Sequence, residues 1–276
     1  MSYGEFFALT KEAQADLIWQ TLFVQHSPVS EAQRGVLTVL KALGLDVSTR
    51  DLNAYREYFQ SLSQEEIVHQ VLEIAGVETV VMTNDPFDPI EHMVWKNHGH
   101  KDKRFRAALR VDPLLNDFAK VCSDLVGWGY DVESSLNDKS VAEVQRFLKG
   151  WMQKIDGLYL AASLPCDFTM PEESLRARVV EKCILPVCQE LNVPFALMIG
   201  PKRQVNRKLR LAGDSLGKAD IGAVEYLCSK YPKNKFLVTL LSRENQHELA
   251  ITARKFRNLM VFGCWWFLNN PSIIEE

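Results

Sequence analysis

A short, nearly continuous apolar run that ends in polar residues recurs six times along the chain, and nothing else in the sequence constrains the fold as much. The runs read "VETVVMTND", "FRAALRVDP", "GLYLAASLP", "PFALMIGPK", "KFLVTLLSREN" and "NLMVFGCWW". Helical patterns such as "EESLRARVVEKCILPVCQELNV" and "ENQHELAITARKF" lie between them. A strand covered on both faces loses the apolar–polar alternation of a half-exposed strand, so short apolar runs alternating with helices predict parallel strands layered by helices. Six such units at barrel-like intervals predict an α/β fold, a TIM-type (β/α)8 barrel that is incomplete and holds about strands 2–7. A whole barrel needs eight strands, typically about 250 residues for the β/α part alone. A doubly wound open sheet is the rival, but no G-x-G-x-x-G turn follows any strand.

The first 75 residues follow another rule. "EFFALTKEAQADLIWQTLF", "SPVSEAQRGVLTVLKALGLD" and "STRDLNAYREYFQSL" carry apolar residues at helical spacing, the second stopping near Gly44. "SQEEIVHQVLEIAG" opens with Ser63 and has Glu66 three positions on, the reciprocal capping pattern, and closes at Gly76. The expected division is a helical subdomain, 1–75, and a partial barrel, 76–276.

Composition narrows the function classes. Lys and Arg number 32 against 35 Asp and Glu, a formal charge of -3, without a basic block, so no nucleic-acid partner is expected. The N-terminus has acidic residues early and no signal-like apolar core, and no run reaches the roughly 18 apolar residues of a membrane helix. A cytoplasmic protein without a membrane partner is the expectation. Cys122, Cys166, Cys183, Cys188, Cys228 and Cys264 are scattered without a C-x-x-C pair and read as reduced thiols.

In a barrel, chemistry gathers at the C-terminal ends of the strands. Those ends are Thr83, Asn84 and Asp85; Arg110 and Asp112; Ser163; Lys202 and Arg203; Ser242 and Arg243; Trp265 and Trp266. The recurring cations suit an anionic substrate, because guanidinium grips carboxylate or phosphate in two-pronged fashion. Without a phosphate loop, a carboxylate is the simpler ligand. Arg110 and Arg243 each follow an apolar strand, where a charge needs a partner or a ligand. The competing reading makes them structural, Arg110 held by Asp112 or Asp85 and Arg243 by Glu244. Trp265 and Trp266 point to opposite faces if extended, so one can face the mouth and stack on a sugar, or both can pack in the core.

"HGH" at His98 and His100 sits in a polar loop that leads into a strand, the wrong end for a barrel metal site, and is read as a solvated loop. His247 lies one turn beyond Arg243 and could reach the mouth or simply open a helix; His26, His69 and His92 show no partner pattern. The basic, glycine-bearing stretch "GPKRQVNRKLRLAGDSLGKAD" is placed to act as a lid or is a mobile surface loop.

The stretches "VVMTNDPFD", "AALRVDPLLN", "FALMIG", "NKFLVTLLSRENQHEL" and "NLMVFGCWWFLNNPSIIEE" resemble the uronate isomerases (glucuronate isomerase) of the amidohydrolase superfamily, through nearly the whole chain. That resemblance implies a distorted (β/α)8 barrel with a helical insertion after the first strand. It implies reversible aldose–ketose isomerisation in hexuronate catabolism, D-glucuronate to D-fructuronate and D-galacturonate to D-tagaturonate. By position Arg110 and Arg243 match family arginines that contact the sugar acid, and Trp265 and Trp266 match the family's tryptophan pair. The family's H-x-H metal ligands and His-Tyr pair near its first strand, and its Asp-x-Arg after the eighth, have no counterpart here. The chain thus resembles the central portion: substrate-binding residues without a catalytic base or metal ligand, a divalent metal (zinc) being expected only in the full-length enzyme, together with homo-oligomerisation. A metal-dependent hydrolase of a carboxylated substrate and a non-catalytic truncated remnant remain as alternatives.

Overall fold

The computed structural model describes residues 1–97, 102–262, 268 and 271–275. The chain divides into two compact units, Met1–Val80 and Val81–Glu276.

The first unit is helical: α1 (Tyr3–Ala8), α2 (Lys11–Trp19), α3 (Glu31–Ala42), α4 (Leu52–Gln60) and α5 (Gln64–Ala75), with a π-helical turn over Gln20–Gln25. The first expected helix is two, because Thr10 caps α2 by accepting the Ala13 N–H. Ser63 and Glu66 form the expected reciprocal cap, and Gly76 ends α5 at φ 62°, a left-handed conformation that glycine adopts without a Cβ penalty. Its small core centres on Trp19, stacked on Phe23 at 4.4 Å and met edge-on by Tyr55 at 5.4 Å. The indole N–H of Trp19 donates to the Arg50 carbonyl at 2.8 Å, so the buried ring leaves no orphan donor.

The second unit is strand–helix throughout. Its strands are β1 (Val80–Asn84), β2 (Phe105–Arg110), β3 (Gly157–Leu164), β4 (Phe195–Ile199), β5 (Pro201–Lys202), β6 (Ser215–Leu216), β7 (Phe236–Leu240) and β8 (Leu259–Val261). Its helices are α6 (Pro89–Asn97), α7 (Asp112–Asn116), α8 (Phe118–Gly127), α9 (Asp138–Lys154), α10 (Leu175–Val179), α11 (Leu185–Leu191), α12 (Ile221–Lys230), α13 (Gln246–Ala253) and α14 (Pro271–Glu275). Six strands make one sheet in the order β1-β2-β3-β4-β7-β8. The pairs from β2 to β8 are parallel, Leu160 beside Phe195 and Phe195 beside Phe236. Each main strand therefore lies beside the next one in the chain, as in barrel winding; a doubly wound sheet reverses its order part-way. The fold is α/β with an incomplete barrel. Phe195, Ala196 and Leu197 are all buried, so both faces of β4 are covered, which is why the sequence shows continuous apolar runs. Phe147, Leu148 and Val144 of α9 and Val179, Val180 and Ile184 of the α10–α11 layer belong to the same core. Among the described residues no helix is long and apolar enough to cross a membrane.

Candidate functional site

The strand ends of β1, β2 and β3 bring four of the sequence-selected residues together. Arg110 closes β2 and Asp112 opens α7. The guanidinium donates twice to that carboxylate, Nε to Oδ2 at 2.9 Å and Nη2 to Oδ1 at 3.2 Å. Asp112 Oδ1 also accepts the Ser163 N–H at 3.1 Å, so one carboxylate fixes the arginine and ties the β2 exit to β3. Asn116 strengthens this tie by donating to the Ser163 carbonyl at 3.0 Å. The Arg110 side chain is 39% exposed and that of Asp112 13%, so the pair is screened on one side and open on the other. The Asp112 hydrogen bond, with the charges of Asp112, Asp85 and Glu91, holds the Arg110 guanidinium protonated above its usual range despite partial burial. Asp85, beyond β1, accepts the Phe87 N–H at 2.9 Å, and its own N–H donates to Glu91 at 2.8 Å. Burial pushes the Asp85 carboxyl up, against the opposing effects of that N–H and the Arg110 charge. This end of the rim thus holds three carboxylates around one guanidinium, and the structural partner expected for Arg110 is the one it has.

Arg243 is arranged differently. It lies in a 3-10 turn, Arg243–Asn245, past the end of β7, and is exposed. Among the described residues its guanidinium makes no ion pair or hydrogen bond. Glu244, the partner proposed for it from sequence, instead takes the Ser242 hydroxyl, and that contact is the first cause of its lowered pKa, the charges of Lys218 and Arg243 coming after it. The turn beneath Arg243 is rigidly braced: Gln246 donates to the carbonyls of Leu240 (2.6 Å) and Ser242 (2.8 Å). Fully buried Asn245 accepts the Ala219 N–H at 2.9 Å and donates to its carbonyl at 3.0 Å. Three inter-strand steps separate β2 from β7, on the order of 14 Å in a flat sheet, so the two arginines flank a gap rather than touch.

Residues 200–220 are not the unstructured stretch their composition suggests. β5 and β6 pair antiparallel, Pro201 with Leu216 and Lys202 with Ser215, and Arg207–Gly213 coils into 3-10 turns. Arg203 pairs with Asp214, which also accepts the Gln204 N–H at 2.8 Å. Gly200, at φ 133°, would place a Cβ 3.0 Å from that of Leu241, and a Cβ on Gly217 would meet Lys202 and Cys166 at under 3 Å. The hairpin base is therefore packed against the β3 and β7 exits, with Lys202 and Arg203 exposed above it.

Thr83 is exposed and Asn84 half-buried beside Asp85, while His247 is exposed at the start of α13. His92 serves packing, stacked on Trp128 at 4.3 Å with Nδ1 3.0 Å from the Pro86 carbonyl. Trp265 and Trp266, and the His98 and His100 pair, lie outside the described residues. Burial raises the thiols of Cys183 and Cys228 to about 12, so these are inert as nucleophiles. Glu91, Asn245 and Gln246 escaped the sequence reading because each binds backbone groups that only the folded turns bring within reach. No group of three His, Cys, Asp or Glu residues among the described ones could hold a metal. A surface hollow that includes Glu181, Tyr231 and Asn234 lies on the side from which β7 enters, away from the rim.

A uronate isomerase from Bacillus halodurans matches 99% of this chain at 55% identity and a TM-score of 0.96. The chain resembles the uronate isomerases. It spans 65% of that relative's length. Two uronate-isomerase-type structures share the fold at lower identity. The uronate isomerase of Thermotoga maritima matches 73% of this chain and 52% of its own at 17% identity, TM-score 0.58. The glucuronate isomerase of Caulobacter crescentus matches 74% of this chain and 50% of its own at 14%, TM-score 0.57. No family model and no curated protein matches.

Proposed function

We propose that this chain forms the substrate-binding middle of a uronate isomerase, interconverting D-glucuronate with D-fructuronate and D-galacturonate with D-tagaturonate. The observation that carries the reading is the 55% identity across 99% of the chain, with both rim arginines at strand exits. Residues 1–75 would be the helical insertion and 76–276 the barrel portion, within a cytoplasmic, homo-oligomeric enzyme.

The reaction moves a proton between C2 and C1 of a sugar that keeps a carboxylate at C6, so it needs a base, an acid for the carbonyl oxygen and a clamp on the carboxylate. Charge assigns the clamps. Asp112 already takes two of the five guanidinium donors of Arg110 and much of its charge, which suits Arg110 to sugar hydroxyl oxygens through its remaining N–H groups. Arg243 offers its whole fork and suits the carboxylate, bidentate. Trp265 or Trp266 would cover the sugar's apolar face. The described residues do not provide a site for the zinc that the resemblance implies. In this reading the chain orients the substrate, and such positioning supplies a large share of an enzyme's rate.

Replacing the matched region of the Bacillus halodurans relative with this chain tests the proposal. The chimera is expected to convert glucuronate to a ketose. Arg243→Met in it should raise KM about 10- to 150-fold, the worth of one or more hydrogen bonds between charged groups. A folded chimera that yields no ketose refutes the assignment.

A further inference from the structure

The helix that ends in α11 and the turn that precedes β7 enclose a hollow of about 300 Å³, the lower end of the range for small-ligand clefts. The helix is irregular there for a local reason. Pro186 has no N–H for the Lys182 carbonyl, which takes the Gln145 side-chain amide at 2.7 Å instead, and Val180–Ile184 form a π-helical turn. Asn234 fixes the turn to this helix: its N–H donates to the Tyr231 carbonyl at 3.0 Å and its side-chain amide to the Leu185 carbonyl at 2.7 Å. Asn234 is only 3% exposed. Its side-chain oxygen accepts no hydrogen bond among the described residues, yet no fully buried side-chain oxygen or nitrogen among them lacks a partner. The oxygen therefore opens on the hollow that Asn234 lines, a free acceptor on an otherwise buried residue.

The charged members of the lining, Glu181 and Glu190, are both acidic. Their lysines reach them from outside it. Lys230 donates to Glu181 at 3.0 Å, and Lys149 donates to the two oxygens of Glu190 at 3.2 and 3.1 Å. Lys230 shows how an ammonium is held here: Glu181 takes its charge while it lies 4.9 and 5.5 Å from the ring centres of Tyr226 and Tyr231.

We infer that the hollow binds a small organic cation, an ammonium carried on a compact apolar body. The ammonium donates to Asn234 Oδ1 and takes Glu190 from Lys149, and the body covers Pro186 and the Tyr231 ring. The Glu190 and Lys149 side chains are 58% and 37% exposed, and an exposed pair of this kind is weak enough for a ligand to replace. An anion would face two carboxylates. A neutral hydroxyl would satisfy Asn234 and forgo the charge. This site stands on its own observations and does not rest on the isomerase reading.

Titration of the isotope-labelled 276-residue chain with benzylammonium, followed by amide resonances, tests the inference, with benzyl alcohol and benzoate as neutral and anionic controls. Benzylammonium should give saturable shifts at the backbone amides of 187–190, 231 and 234 and at the Asn234 side-chain amide. Benzyl alcohol should bind about tenfold more weakly or worse, the worth of a hydrogen bond between charged groups, and benzoate not at all. Two variants at accessible positions should move affinity in opposite directions, with the circular dichroism of the chain unchanged. Glu190→Gln should weaken benzylammonium about tenfold, and Lys149→Met, which removes the competing ammonium, should tighten it. The inference is overturned if these amides show no saturable shift, if the alcohol or benzoate binds as well, or if Lys149→Met fails to tighten binding.

Discussion

Removing the carboxylate of Asp112 probes the best-defined interaction at the rim. Asp112→Ala deletes three accepted hydrogen bonds at once, two from Arg110 and one from the Ser163 N–H. The Ser163 amide, half-buried between strand exits, loses its acceptor, at about 1–2 kcal/mol for an unsatisfied backbone donor. The guanidinium is 39% exposed and regains water, so the loss of the ion pair costs only about 1 kcal/mol. The sum is about 2–3 kcal/mol. Asp112→Asn keeps an acceptor for Ser163 and loses the charge, so it should cost about 1 kcal/mol. Urea unfolding of the two variants, with Arg110→Met and the double variant, gives both the losses and the coupling. The cycle should show about 1 kcal/mol of coupling between Arg110 and Asp112, the rest of the Asp112→Ala loss persisting when Arg110 is methionine. An Asp112→Ala loss within about 0.5 kcal/mol of zero, the range of a neutral surface change, would mean that the carboxylate does not tie β2 to β3.

Asp85→Asn should stabilise the protein near neutral pH. The folded-state pKa of Asp85 is raised, so the native state binds its proton more tightly and stability falls as pH rises from the ordinary aspartate value through the raised one. The stability difference between variant and parent should therefore shrink to nothing below the ordinary value, which unfolding curves across pH would reveal. Gly200→Ala must adopt φ 133° with its Cβ 3.0 Å from that of Leu241, a strain of about 1–3 kcal/mol, read as a lowered midpoint of unfolding and faster proteolysis within 200–220. A thiol reagent at neutral pH should modify half-buried Cys166 in the native protein and reach Cys183, Cys188 and Cys228 only on unfolding, as peptide mapping would show.

The six strands and the caps at Ser63 and Gly76 were legible because each rests on local chemistry: apolar runs that two-sided burial demands, and side chains that satisfy helix ends a few residues away. The hairpin of β5 and β6 was not. Its strands are two residues each, too short for any periodicity, and its form depends on Gly200 and Gly217 admitting Leu241, Lys202 and Cys166 to close quarters. Asn245 reads as an ordinary polar residue of "SREN", and its role exists only once the Ala219 loop lies against the β7 exit.

The two arginines make the same point more sharply. Both follow an apolar strand and both have an acidic residue nearby in sequence, so sequence alone offers each the same pair of fates. The difference is spacing. Asp112 stands two positions after Arg110, where Val111 (φ -123°, ψ 18°) turns the chain out of β2 into α7, and there the carboxylate meets the guanidinium and spans to Ser163 on β3. Glu244 stands one position after Arg243 in a 3-10 turn, where neighbouring side chains diverge, and it turns to Ser242 instead. At these two positions the neighbouring acid braces Arg110 and leaves Arg243 exposed and, among the described residues, without an ion pair.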